Sequence, residues 1–95
     1  MSDQEFIIAS VWRKGRIVPG YDPGMWRMDA CGAWMCRHCH GNRDSQYGWE
    51  IDHIIPTGGD HLANFQPLHW QNNTAKSDGT LVRKVTAYGY NNVFV

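Results

Sequence analysis

Apolar and polar positions along the chain keep no single period for long, and glycine or proline marks most of the breaks. Glu5 through Trp12 is a short, largely apolar run for which periodicity leaves a strand and a first helical turn equally open. Gly15, Pro19, Gly20, Pro23 and Gly24 predict a long irregular connection, from which Trp26 and Met28 tuck onto a core. Ala30 to Met35 reads as a short strand, and His38 to Tyr47 is polar with a turn at Gly41-Asn42. Trp49 to Ile55 is rich in β-formers and stops at Pro56, which predicts a strand. After the flexible Thr57-Gly58-Gly59-Asp60, Ala63 to Leu68 is a second short strand with Pro67 at its end. Trp70 to Ser77 predicts a helix of about two turns, stopped by Asp78-Gly79. Leu81 to Ala87 alternates as a strand, and Asn91-Asn92 reads as a turn before the apolar tail Val93-Phe94-Val95. The order is strand, loop, strand, helix, with a wrapping segment over residues 1–30, a core over about 31–79 and an extension over 80–95.

The 95 residues suit one α+β domain with a single modest core. Much of the apolar content is aromatic, including five tryptophans, and large rings bury much area per residue. Core packing is the expected role of Trp34, Trp49 and Trp70. The formal net charge of zero argues against a broad nucleic-acid surface, because phosphate affinity depends on Lys and Arg. A local patch of Arg13, Lys14 and Arg16 with Arg27, Arg37 and Arg43 is balanced against scattered solubilising charge. Three cysteines behind a polar start predict a reducing cytoplasmic setting with free or metal-bound thiols. No apolar run reaches membrane-spanning length, so no membrane partner is expected.

The chemistry concentrates in Ile51-Asp52-His53-Ile54-Ile55-Pro56 and Asn73-Thr74-Ala75-Lys76-Ser77-Asp78. Hydrolysing a phosphodiester needs a cation against the phosphate and a base to activate water. His53 has the side chain that accepts a proton near neutral pH. Asp52 and the Asn73 amide oxygen are hard ligands of the kind Mg²⁺ or Mn²⁺ prefers, and an added imidazole would admit Zn²⁺ or Ni²⁺. His69, four residues before Asn73, falls on the same helix face and is a candidate for that imidazole. Lys76 lies near that face, where an ammonium meets a substrate phosphate. Because neighbouring strand residues point to opposite faces, Asp52 and His53 share a site only where the strand bulges, twists or ends, so irregular backbone is expected there.

Those segments, with Gly58-Gly59-Asp60, Leu62-Ala63-Asn64 and Gln66-Pro67-Leu68, resemble the HNH endonucleases, including the HNH domain of the RNA-guided CRISPR effector. The upstream Asp29-Ala30-Cys31-Gly32-Ala33-Trp34 is similar to a subgroup of small bacterial and phage HNH proteins. The resemblance implies a ββα-metal (His-Me finger) core and metal-dependent cleavage of DNA, double-stranded DNA foremost, with a homodimer or larger nucleoprotein complex as candidate assemblies. By it, Asp52 matches the metal-binding acid, His53 the general base, and Asn64 the asparagine that holds the loop and orients the histidine. Asn73 matches the last metal ligand; His69 matches a ligand in the toxin nucleases and a non-ligand in many other members. Arg37 and Arg43 are expected on the nucleic acid beside Lys76. Cys36-Arg37-His38-Cys39 has the spacing of half a zinc site, whose second half in many HNH proteins aligns with His69 and Asn72. Asn72 is a poor ligand, Cys31, His38 and His40 form a different local set, and a structural zinc is not expected. The rivals to an endonuclease are a non-catalytic module of the same fold that binds DNA or protein, and an accessory subunit of a phage or defence complex.

Overall fold

A computed structural model describes residues 2–95. Its elements are helix α1 (Asp3–Trp12), strands β1 (Trp26–Met28), β2 (Trp34–Cys36), β3 (Trp49–His53) and β4 (Phe65–His69), helix α2 (Trp70–Ala75), and strands β5 (Val85–Tyr88) and β6 (Asn91–Phe94), with 3-10 turns at Arg37–Cys39 and Leu62–Asn64. The class is α+β, and the three sheets are antiparallel pairs: β1 with β2, β3 with β4, β5 with β6. The radius of gyration is 12.5 Å, close to the ~12.4 Å that scaling gives a folded chain of this length.

The open reading at the N-terminus resolves as helix. Ser2 accepts a hydrogen bond from the Glu5 amide at 3.1 Å, and Asp3 and Glu5 supply negative charge to the first turn. The helix docks by its last turn: Val11 and Trp12 join Met35 and Trp49 in the buried core, with Ile8, Ile51 and Phe65 packed around them. Trp12 and Trp49 meet at 5.4 Å between ring centroids. Trp34 is also buried, whereas Trp70 is half-buried, its indole N–H donating to the Ser45 carbonyl at 3.0 Å.

Several boundaries differ from expectation. Trp26 to Met28 is a strand rather than a tucked loop, and its partner is Trp34–Cys36, because residues 29–33 form a turn closed by Asp29 Oδ1 on the Cys31 and Ala33 amides. The last hairpin runs later than alternation suggested. Residues 81–84 are irregular, Asn91 and Asn92 lie in β6, and the turn falls at Gly89-Tyr90. Asn92 is held in place as a side-chain bridge, accepting from the Trp34 amide and donating to the Trp34 and Gln46 carbonyls.

The β3–β4 hairpin and α2 position the polar residues. The ladder is continuous from Trp49 opposite His69 to His53 opposite Phe65, and α2 follows β4 without a loop and packs on both strands. Gly48 permits the entry to β3: a Cβ there would lie 1.9 Å from the Asn42 carbonyl oxygen, an overlap no side chain relieves. Helix α2 stops at Ala75 rather than Ser77, as Lys76 turns to extended backbone with ψ 135°.

Candidate functional site

Alternation along β3 separates two sets of side chains. Trp49 and Ile51 face the aromatic core, while Glu50 and Asp52 face α2. Of the three ways expected to bring Asp52 and His53 together, a bulge, a hard twist or a strand end, the end is the one seen, for pairing stays regular through His53 and β3 stops there. An open cleft of about 350 Å³ wraps that end, lined by Asp52, His53, Asn73, Lys76 and Asp78. One cleft therefore receives side chains from both faces of β3.

Asp52 is held from two sides. Its Oδ2 accepts from the Lys76 ammonium at 2.7 Å and from Gln66, its cross-strand partner, at 2.9 Å. The Lys76 and Asp52 side chains are 7 % and 8 % exposed. Lys76 also donates to the His53 and Ile54 carbonyls, so its ammonium has three acceptors from the strand end. This differs from an ammonium held out to substrate phosphate: Lys76 pins α2 to the last residues of β3.

Asn73 is oriented by Glu50, to which its Nδ2 donates at 2.9 Å. Glu50 is in turn gripped by Arg43 through two hydrogen bonds, of 2.7 and 2.9 Å. That pairing, opposed by burial, holds the Glu50 carboxyl below its ordinary value. With Nδ2 engaged, Asn73 Oδ1 has no protein donor among the described residues, and the same is true of Asp52 Oδ1. Neither oxygen is a buried orphan, for every buried side-chain polar atom described has a partner. Two hard oxygens thus open on one cleft, a donor set that suits a largely hydrated divalent cation. Among the described residues no group of three His, Cys, Asp or Glu side chains is placed to hold a metal.

His53 packs edge-on against Phe65, centroids 5.0 Å apart at 87°, and is 42 % exposed. Its Nε2 lies 2.6 Å from Asp60 Oδ1. A carboxylate only accepts, so in neutral His53 this contact puts the proton on Nε2 and the free lone pair on Nδ1. Asn64 bridges the intervening loop: its Oδ1 accepts from the Ile55 amide, and its Nδ2 donates to the Ile55 and Gly59 carbonyls, all within 3.0 Å. Gly58 gives it room, since a Cβ there would stand 2.9 Å from the Asn64 amide.

His69 is a correction. It is fully buried, its Nδ1 accepts from the Gln71 amide as the cap of α2, and its Nε2 donates to the Gln46 carbonyl at 2.7 Å. With both ring nitrogens engaged and no place on the cleft, it is not available to a metal there. Burial lowers its pKa, outweighing the Gln46 bond and the charge of Asp29. Its neighbour Asn72 accepts from the Lys84 and Val85 amides and donates to Val85 and to Asp29 Oδ2, which also takes the His69 amide. The two positions that align with a zinc half-site are thus tied into a buried Asp29–His69–Asn72 network. Cys31, Cys36 and Cys39 are free thiols, and burial followed by the Cys39 neighbour pushes the Cys36 thiol up.

Of the two arginines expected on nucleic acid, Arg43 reaches the site through Glu50, and its guanidinium lies 5.9 Å over the Trp70 ring. Arg37 is elsewhere, in a recess against α1 with Glu5, Ile8 and His40. Asp60, Glu50 and Gln66 were not foreseen. Asp60 stood in the Gly-Gly-Asp segment and Glu50 two places before Asp52, which signals position without naming a partner. No protein-family model, no curated protein and no solved structure matches the chain.

Proposed function

We propose that the chain is a metal-dependent endonuclease of HNH type, with β3, β4 and α2 as its ββα-metal core and DNA as its substrate. The observation that carries this reading is the convergence on one cleft of two unpartnered carbonyl-type oxygens, from Asp52 and Asn73, with an imidazole backed by a carboxylate. Asp52 and Asn73 would hold the cation, with Mg²⁺ or Mn²⁺ suited to their oxygens. Bound there, it would supply positive charge against the phosphate and the leaving oxygen.

His53 takes the proton from water through Nδ1, while Asp60 fixes the ring and stabilises the imidazolium that forms. The water oxygen bonds to phosphorus, the bond to the 3′-oxygen breaks, and that oxygen takes a proton from solvent water, leaving a 5′-phosphate and a 3′-hydroxyl. Asn64 holds the loop that carries Asp60, and Lys76 holds Asp52 and the carbonyls of the strand end. Glu50 turns the Asn73 carboxamide so that its oxygen, not its nitrogen, meets the cleft.

Supercoiled plasmid with Mg²⁺, Mn²⁺ or chelator separates the possibilities. Wild-type protein should nick it only with metal, and His53→Ala should lower the rate by about 10²–10⁴-fold, the usual contribution of a positioned base. Equal rates for the two proteins, or no cleavage in any metal, would sink the proposal. One observation favours the rival: the Lys76 ammonium already balances the Asp52 charge, which suits a module that keeps the fold to bind DNA. Metal-independent DNA binding without cleavage is the result that reading expects.

A further inference from the structure

A second cleft, which shares no lining residue with the one at Asp52, is walled by rings. Tyr21, Trp26, Trp34, Tyr47 and Tyr90 enclose about 180 Å³. They come from the irregular connection, β1, β2, the turn before β3 and the turn between β5 and β6. Trp34 forms the floor at 5 % exposure, and Tyr21 and Tyr90 stand at the mouth at 37 % and 75 %.

The walls meet at steep angles. Tyr21 lies 4.9 Å from Trp34 at 59°, and Trp26 lies 5.0 Å from Tyr47 and 6.3 Å from Trp34, both at 82°. Tyr21 and Tyr90 are 6.5 Å apart at 66°. Two polar edges are turned onto backbone: the Trp34 indole N–H donates to the Gly89 carbonyl at 2.8 Å and the Tyr47 hydroxyl to the Tyr90 carbonyl at 2.6 Å. Those two polar edges are thus taken up by backbone, and the lining is aromatic throughout.

Aromatic faces carry the negative end of a quadrupole, and several faces turned toward one space sum their attraction for a cation. The protein's own ring-bound cations sit elsewhere among the described residues, Arg43 on Trp70 and Lys84 on Phe94. A flat nucleobase suits the space poorly: it would stack on one wall, lie edge-on to the next, and find few donors for its polar edge. A bare ammonium or guanidinium would lose strong hydration to a lining with few acceptors. A methylated ammonium has little hydration to lose and meets every wall at once. At about 180 Å³ the cleft is also below the ~300–1,000 Å³ of sites for drug-sized molecules.

We propose that this aromatic cleft is a binding site for a compact organic cation of the methylated-ammonium class. It is independent of the nuclease reading and shares no residue with the Asp52 cleft.

The test compares choline with its uncharged carbon isostere, 3,3-dimethylbutan-1-ol, titrated into the full chain at fixed ionic strength. The readouts are the indole N–H resonances of Trp26 and Trp34 and tryptophan fluorescence. Choline should saturate, shift those two resonances, and bind at least about fivefold more tightly than the isostere. Tyr90→Ala, which removes an exposed ring, should weaken choline about two- to fivefold, and Tyr90→Phe should not. A trimethyllysine peptide binding more tightly than choline assigns the cation to a partner's side chain. Parity between peptide and choline assigns it to a small molecule or headgroup, and both results support the site. Equal binding of choline and the isostere, no saturable shift with either, or unchanged binding in Tyr90→Ala overturns it.

Discussion

His53 is the residue whose chemistry depends most on a neighbour. Asp60 contributes one oxygen 2.6 Å from Nε2, yet its own side chain is 86 % exposed, so removing it costs the fold little. Asp60→Ala should lower plasmid cleavage by about 10- to 100-fold, short of the loss of the base itself. Thermal midpoint should stay within about 4 °C of wild type, as for surface substitutions worth under about 0.5 kcal/mol. Asp60→Asn keeps an acceptor without the charge and should fall between. A full loss of activity with a collapsed melting curve would show that Asp60 supports the loop rather than the ring. Asp52, His53 and Asn73 were legible as a constellation because their types and spacing alone suggest the chemistry, and the structure lines one cleft with all three. Their partners were not legible. Gln66 meets Asp52 through strand register, and Asp60 meets His53 because the loop folds back under Asn64. Both facts are set by pairing and loop closure rather than by residue type.

The elements are joined by buried polar bonds as much as by the small core. Asp29 accepts four N–H groups, from Cys31, Ala33, His69 and the Asn72 amide, and every one is a donor. Asp29→Asn puts a donor against donors and removes the charge, so it should destabilise by about 2–4 kcal/mol in a denaturant titration. Asn72, bonded to Lys84 and Val85, carries the same link onward to the last hairpin, which contributes Val85 to the buried residues. This explains which elements the sequence showed. The β3–β4–α2 unit was legible within a few residues because apolar runs, Pro56 and Gly79 mark its limits. Helix α1 is ambiguous in the sequence because its apolar residues keep no clear period; the signal that decides it is Ser2 and Glu5 at capping spacing. The start of β5 lies later than alternation implies, because residues 81–84 alternate like a strand yet have no partner strand.

The cap of α2 also predicts a pH dependence. Burial depresses His69 below the 6.5 of free imidazole, and burial with Arg37 nearby does the same for His40. Between the folded and unfolded values the unfolded chain binds more protons, so stability rises with pH across that interval. It should be at its full value above about pH 6.5 and decline as the pH falls below it. Chemical denaturation at intervals from pH 8 to pH 5 measures this, and His69→Gln should flatten the slope while leaving the part due to His40. A stability that is level through that range in wild type would contradict the buried neutral imidazole.

Taken over the whole surface, the positive charge is less available than the count of nine Lys and Arg suggests. Lys14 is bound to the Leu62 and Phe65 carbonyls, Arg16 to the Met28 sulfur, and Arg27 to the Pro23, Arg13 and Gly15 carbonyls. Arg43 and Lys76 are paired with Glu50 and Asp52, and Lys84 lies over Phe94. Arg13, Arg37 and Arg83 are left with no side-chain hydrogen bond or ion pair among the described residues. The basic cluster read from Arg13, Lys14 and Arg16 thus does much of its work inside the fold, holding the irregular connection and the turn before β4. Each phosphate neutralised contributes about 0.9 to the slope of log affinity against log salt on B-DNA. Three free arginines then give a slope of magnitude about 3 or less. Affinity for a short duplex, measured by fluorescence anisotropy from 50 to 200 mM salt with Ca²⁺ in place of Mg²⁺ to suppress cleavage, should fall by less than about 10²-fold. A slope of 6 or more would mean that DNA draws Lys14, Arg16 and Arg27 out of their internal contacts, and that the N-terminal connection rearranges on binding.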